Sequence, residues 1–327
     1  MSSERMRKAP SSYPILFRTA SDSALLRRSK DAPAAGNPSP SYLGPQELLA
    51  QTPGYNFSHV PDIVKAPAAP GKSKAENKIW LRTHDKLVSE VAKARKGQGL
   101  ELIFYGDSIF EAWMATEMGE ETDRFKDVPA VYTRNYGRLR GGVFAISGDT
   151  SQNLLWRLKN GEAPEGLAPQ AVVILIGTND LSKSFGNKLD KPETANTVAQ
   201  GIVDAATTVL ASDRETQVVV LAVLPRGDKA VEAPSLRYIL PNKWSGAIES
   251  VNAKVQNWAQ WQKRATYLDC GAEFIESDDK LEGGKRLKKD LMPDALHPNG
   301  VGMQALADCI HDSLQLAIPN LPVTKSA

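Results

Sequence analysis

The sequence predicts an α/β fold, in which one parallel sheet of five strands is covered by helices on both faces. Three observations carry this. The runs "LELIFY", "GGVFAI", "AVVILIG", "QVVVLAVLP" and "ATYLDC" are continuously apolar rather than alternating, as strands buried on both faces are. Segments of helical period separate them, which gives successive strands the crossovers that a parallel sheet requires. The strands also run out into polar groups, "GDS", "SGDTSQ", "GTND" and "LPRGD", at the carboxyl ends where open parallel sheets bind ligands.

In chain order, "ENKIWLRTHDKLVSEVAKARKG" places Ile79, Trp80, Thr83, Leu87 and Val91 on one helical face and turns basic before Gly97, as a helix C-terminus does. Strand one follows, then a helix expected from Ile109. Strand two is Gly141 to Ile146, and "SQNLLWRLKNG" is helical. Strand three is Ala171 to Gly177, followed by a helix over "PETANTVAQGIVDAATTVLAS". Strand four, "QVVVLAVLP", leads to the helix "AIESVNAKVQNWAQWQKR"; strand five, "ATYLDC", precedes a last helix from Val301 to Ala317. No internal repeat is present.

Composition narrows the function classes. With 327 residues, 41 % apolar and 24 % charged, the chain has the make-up of a globular protein with a sizeable core. No apolar run reaches the roughly 18 residues of a membrane span, and the first thirty residues lack the apolar core of a secretory signal. The expected location is intracellular, in the cytoplasm; import into an organelle through a basic N-terminal arm is the alternative. Cys270 and Cys309 are far apart, with no Cys or His at metal-ligand spacing, so the sequence suggests neither a disulfide nor a zinc site, and no cofactor.

That arm is residues 1–73. It holds ten of the 21 prolines, carries nine Lys and Arg against five acids, and has no hydrophobic periodicity. An extended or disordered arm is expected there, punctuated by Tyr13, Phe17, Tyr42 and Phe57, which docking on a protein partner would explain. The catalytic body is expected over 74–318, able to fold without the arm, and residues 319–327 form a tail. Lys and Arg are not gathered into a stripe with stacking aromatics, so nucleic acid is not an expected partner. The composition leaves a homodimer open.

The chemistry concentrates at the strand ends. Gly106-Asp107-Ser108 is, read alone, what any strand ending in a polar loop shows; the other reading is a nucleophile, which needs a base and a carboxylate to orient that base. Of the four histidines, His59, His84 and His311 suit surface or packing roles. His297 differs, because "PDALHPNG" sets Asp294 three residues before it and Pro298 directly after, biasing it away from helix. A chance Asp and His in a helix-entry loop would look the same. Donors for an oxyanion are the backbone N–H groups of Ser108 and Gly148 and the Asn179 amide, each of which also has an ordinary structural reading as turn or cap.

"GDSI", the Gly148 segment "SGDTSQNLLWRL", "GTND" and "DALH" occur in the order and spacing of the GDSL/SGNH hydrolase superfamily, which the chain resembles from about Trp80 to Leu316. "LLWRLKNGE", "VVILIGTND", "VLPRGDK" and "LHPNGVGMQALADCI" are similar to its platelet-activating-factor acetylhydrolase catalytic-subunit branch. The resemblance implies a flavodoxin-like α/β/α sandwich and a serine esterase acting on short, acetyl-type acyl esters. It assigns Ser108 as nucleophile, His297 as base, Asp294 as its orienter, and Ser108, Gly148 and Asn179 as the oxyanion hole, with no metal. The competing reading keeps the fold for binding within a larger assembly. "KSFGNKLDKP" and "AVEAPSLRYILPNKWSG" look longer than the family's loops, so they are expected to form walls or a lid, while their aromatics Tyr238 and Trp244 read equally as packing. "APAAPGKS" lacks the first glycine and the strand of a phosphate loop, and no GxSxG surrounds Ser108.

Overall fold

The computed structural model describes residues 74–184, 188–228, 231, 233–281 and 284–318, so the expected arm and tail lie outside the described residues. Strands β1 (Leu102–Gly106), β2 (Gly141–Ala145), β3 (Ala171–Leu175), β4 (Gln217–Leu221) and β5 (Ala265–Leu268) form one sheet in the order β2-β1-β3-β4-β5. Every pairing in it is parallel. The strand order reverses between β1 and β3, the crevice where a doubly wound sheet of this order binds its ligand.

The central strands are buried on both faces, the edge strands only in part, and alternate residues feed two cores. Ile103, Tyr105, Val172, Ile174, Val218 and Val220 pack into the first core with helices α1 (Lys74–Lys96), α3 (Ser151–Arg157), α4 (Pro192–Ser212) and α5 (Ser245–Ala259). Leu102, Phe104, Val173, Leu175, Val219 and Leu221 face the second, built with α2 (Val128–Tyr136) and α6 (Gly300–Ala317). This is why the strands read as unbroken apolar runs. Local signals fix the helix starts: Thr150 and Asn153 form a reciprocal capping box on α3, Pro192 opens α4, and the Asn299 side chain caps α6 by accepting the Gly302 N–H at 3.0 Å. Among the described residues no helix is long and apolar enough to cross a membrane.

Two expectations need correction. The helix expected from Ile109 is only the turn Ser108–Glu111, followed by a 3₁₀ turn at Ala112–Met114. Ala115, in the left-handed region at φ 51°, ends it, and a hairpin pairs Thr116–Glu117 with Glu120–Glu121 before α2 begins. The expected independence of disulfides also fails, because Cys270 and Cys309 are bonded to each other. Their sequence separation of 39 hides a tertiary proximity: α6 packs across the turn after β5 and brings their Cα atoms to 5.9 Å.

Candidate active site

The site starts where β1 ends. A Cβ on Gly106 would stand 2.5 Å from the Leu175 carbonyl oxygen of β3, so this position admits only glycine at the present strand spacing. Asp107 then caps the turn, its Oδ1 accepting the Ile109 N–H at 3.0 Å. Ser108 heads that turn, nearly buried, with its Oγ 2.9 Å from His297 Nε2.

His297 arrives from the far end of the chain on a tight turn. Asp294 Oδ1 accepts the N–H groups of Leu296 (3.0 Å) and His297 (2.7 Å), while its Oδ2 lies 2.8 Å from His297 Nδ1. Two contacts from the segment after β4 brace this turn: Gly227 N–H donates to the Ala295 carbonyl at 2.7 Å, and the Tyr238 hydroxyl to that of Pro293. Tyr238 and Trp244 are both buried, so the packing reading of that aromatic pair is the right one. Parts of the two long loops, including 185–187, 229, 230 and 232, lie outside the described residues.

Gly148 has φ 81°, a conformation that glycine adopts without a Cβ penalty, at the turn after β2. Asn179 bridges that turn to the nucleophile's: its Nδ2 donates to the Asp149 carbonyl at 3.0 Å and, at longer range, to Asp107 Oδ2 at 3.3 Å. Asp180 fixes the same loop by accepting the Ser151 N–H (2.9 Å) and hydroxyl (2.5 Å). The structure thus brings Ser108, Asp294 and His297 into one hydrogen-bonded chain and sets Gly148 and Asn179 on the adjoining loops. His84 and His311 are buried in helices away from it, and His59 lies outside the described residues.

Sequence reading missed the groups that hold these loops. Arg157, fully buried in α3, bonds Asp149 Oδ2 at 2.7 Å through Nε, the Glu162 carboxylate through Nη1, and the Gly106 carbonyl at 3.2 Å through Nη2. From α1, Trp80 Nε1 donates to Asp149 Oδ1 and His84 Nδ1 meets Glu162 Oε1, each at 2.6 Å. Glu111 accepts the N–H groups of Ser147 (2.6 Å), Gly119 (2.7 Å) and Met118 (3.1 Å), tying the hairpin to the Gly148 turn. Arg124, just past the hairpin, bonds Asp294. "LLWRL" carried Arg157 in plain view, but nothing local announces its buried partners. Among the described residues no three His, Cys, Asp or Glu side chains gather as metal ligands.

Burial pushes the Asp107 carboxyl up to about 7; the Ile109 N–H counters this, the Asp149 and Asp180 charges add to it, and Arg226 opposes them. Folding therefore raises its proton affinity above that of the unfolded chain. The stabilisation is complete below about pH 4 and is lost as pH rises through about 7. Asp107→Asn keeps the cap and removes the titration. In urea denaturation from pH 4 to 8, wild type is expected to lose stability relative to this variant as pH rises; parallel curves would refute the shift.

Residues 104–305 match the GDSL-like Lipase/Acylhydrolase family. The chain belongs to that family. This GDSL-like hydrolase is 27 % identical over 248 residues to the platelet-activating factor acetylhydrolase IB subunit alpha2 of Gallus gallus, covering 76 % of this chain and 89 % of that one. Its identity to the alpha1 subunit of Rattus norvegicus is 28 % over 235 residues, 72 % of this chain and 82 % of that one. In fold the hydrolase is similar to a GDSL-like lipase from Bacteroides thetaiotaomicron VPI-5482, with a TM-score of 0.51 at 21 % identity over 72 % of this chain and 98 % of the other.

Proposed function

We propose that this GDSL-like hydrolase is a serine esterase for short acyl esters, with Ser108, His297 and Asp294 as its catalytic groups. The observation that carries the reading is the relay of 2.9 Å from Ser108 Oγ to His297 Nε2 and 2.8 Å from Nδ1 to Asp294 Oδ2, at the strand-order reversal. Ser108 Oγ attacks the ester carbonyl as His297 Nε2 takes its proton, and the imidazolium is held by Asp294. The carbonyl oxygen gains the negative charge, facing the N–H groups of Ser108 and Gly148 and the Asn179 amide. Of Asn179's two contacts, the longer one, to Asp107, is the one an oxyanion displaces. Burial pushes the Asp107 carboxyl up toward its neutral form, which weakens its competition for that donor. Collapse expels the alcohol with the proton from His297; water then repeats the sequence on the acyl-enzyme and frees the acid.

The short-acyl preference rests on the acetylhydrolase relatives and on the long loops that leave the strand ends near the site. The test is titration with a fluorophosphonate, then a panel of esters from acetyl to long-chain. One label per chain on Ser108, with matching loss of hydrolysis and kcat/KM highest for acetyl esters, is expected. Hydrolysis that survives complete labelling refutes the mechanism, kcat/KM rising steadily with chain length refutes the preference, and a labelled but inactive chain returns the fold to a binding role.

A further inference from the structure

We infer that Arg124 is a positioning residue that sets where the His297 proton resides and how tightly it is held. The inference rests on His297 being the base proposed above. Arg124 Nη2 lies 2.8 Å from His297 Nδ1 and also bonds Asp294 Oδ2, the oxygen that His297 Nδ1 needs. A guanidinium only donates. When His297 carries its proton on Nδ1, as a base aimed at Ser108 must, two N–H groups confront each other across 2.8 Å and cannot bond. The contact becomes a hydrogen bond when Nδ1 is bare and the proton sits on Nε2, where it points at Ser108 Oγ and leaves no lone pair to take the serine's proton.

Arg124 therefore favours a resting tautomer, and Asp294 the working one. The arginine has somewhere else to go. Its side chain is 38 % exposed, Glu117 of the hairpin stands 3.6 Å from Nη1, and its guanidinium lies over the Phe125 ring at 4.9 Å. Arg226 and Tyr238, both from the segment after β4, also lie within electrostatic reach of Asp294.

A fixed positive charge here opposes the imidazolium in the free enzyme and in the transition state alike. The free base thus stays unprotonated to lower pH, while the plateau rate is held down. Arg124→Gln is expected to move the acid limb of kcat/KM upward by about 0.5 to 1 pH unit, the lower end of what a nearby charge achieves at a half-exposed site. The plateau should rise several-fold, so that the two profiles cross. Arg124→Lys, which keeps the charge, should hold the limb near its wild-type position.

The experiment pairs these profiles with ¹⁵N NMR of the His297 ring in full-length protein. Wild type is expected to show more Nε2–H tautomer than Arg124→Gln, in which the pattern shifts toward Nδ1–H. A fall in kcat with an unmoved limb and an unchanged ring pattern would make Arg124 a structural brace and overturn the inference. If hydrolysis survives Ser108→Ala, it is the esterase reading that fails, and the ring spectra still decide the role of Arg124.

Discussion

Ser108→Ala is expected to lower kcat for a short ester by on the order of 10⁴ to 10⁶, and His297→Ala by a similar factor, while each protein keeps its melting temperature. The double variant should be scarcely worse than either single one. Oγ is useless without the base and the base has no proton to take without Oγ, so the second substitution removes nothing the first left working. Asp294→Asn should cost less, because the 2.9 Å contact between Ser108 and His297 remains while the ring loses the partner that fixes its tautomer. Stopped or initial-rate assays on purified variants decide this. Turnover near wild type in either single variant, or losses that multiply in the double, would remove Ser108 and His297 from the chemistry.

The largest effect on stability is expected at Arg157, buried beneath the loops that carry the site. Arg157→Leu puts a smaller, apolar side chain in the same buried space and leaves Asp149 and Glu162, both fully buried, without the cation they share. Breaking a buried ionic group by deleting one partner typically costs about 3 to 5 kcal/mol, against a total stability of about 5 to 15. The carbonyl ends of β1 and β2 lose donors at the same stroke, since Arg157 also bonds Gly106 and Phe144. Arg157→Lys keeps the charge but cannot fork to both carboxylates, so it should fall between the two. A urea midpoint for Arg157→Leu within experimental error of wild type would show the network to be dispensable. Because Asp149 accepts the Asn179 amide, residual folded protein should also lose kcat.

What the sequence revealed and what it hid divide along a physical line. Ser108, Gly148, Asn179, Asp294 and His297 stood out in the sequence as strand-end or tight-turn residues, but their local letters fit an ordinary turn or cap equally well, and only the family resemblance joined them into one proposed site. The five strands were legible because burial on both faces leaves an unbroken apolar run. Arg124, Glu111 and Arg157 were not, since their partners stand on other elements and a polar residue looks alike whether solvated or enclosed. The break after Glu111 was hidden because Ala115 gives no notice of a left-handed backbone, and α2 was missed with it. The bond between Cys270 and Cys309 was hidden by its span.

That bond has a topological consequence for the base. The backbone from Cys270 to Cys309 and the disulfide together form a closed covalent ring, and Asp294 and His297 are both members of it. A ring has no free end from which to unravel. One cut anywhere along it yields a nicked molecule whose two strands remain joined, so α6 and the imidazole stay moored to the turn after β5, and a second cut is required before anything departs. Reduction turns the same arc into an ordinary stretch of chain, in which a single nick between Cys270 and His297 is enough to set His297 adrift from Ser108.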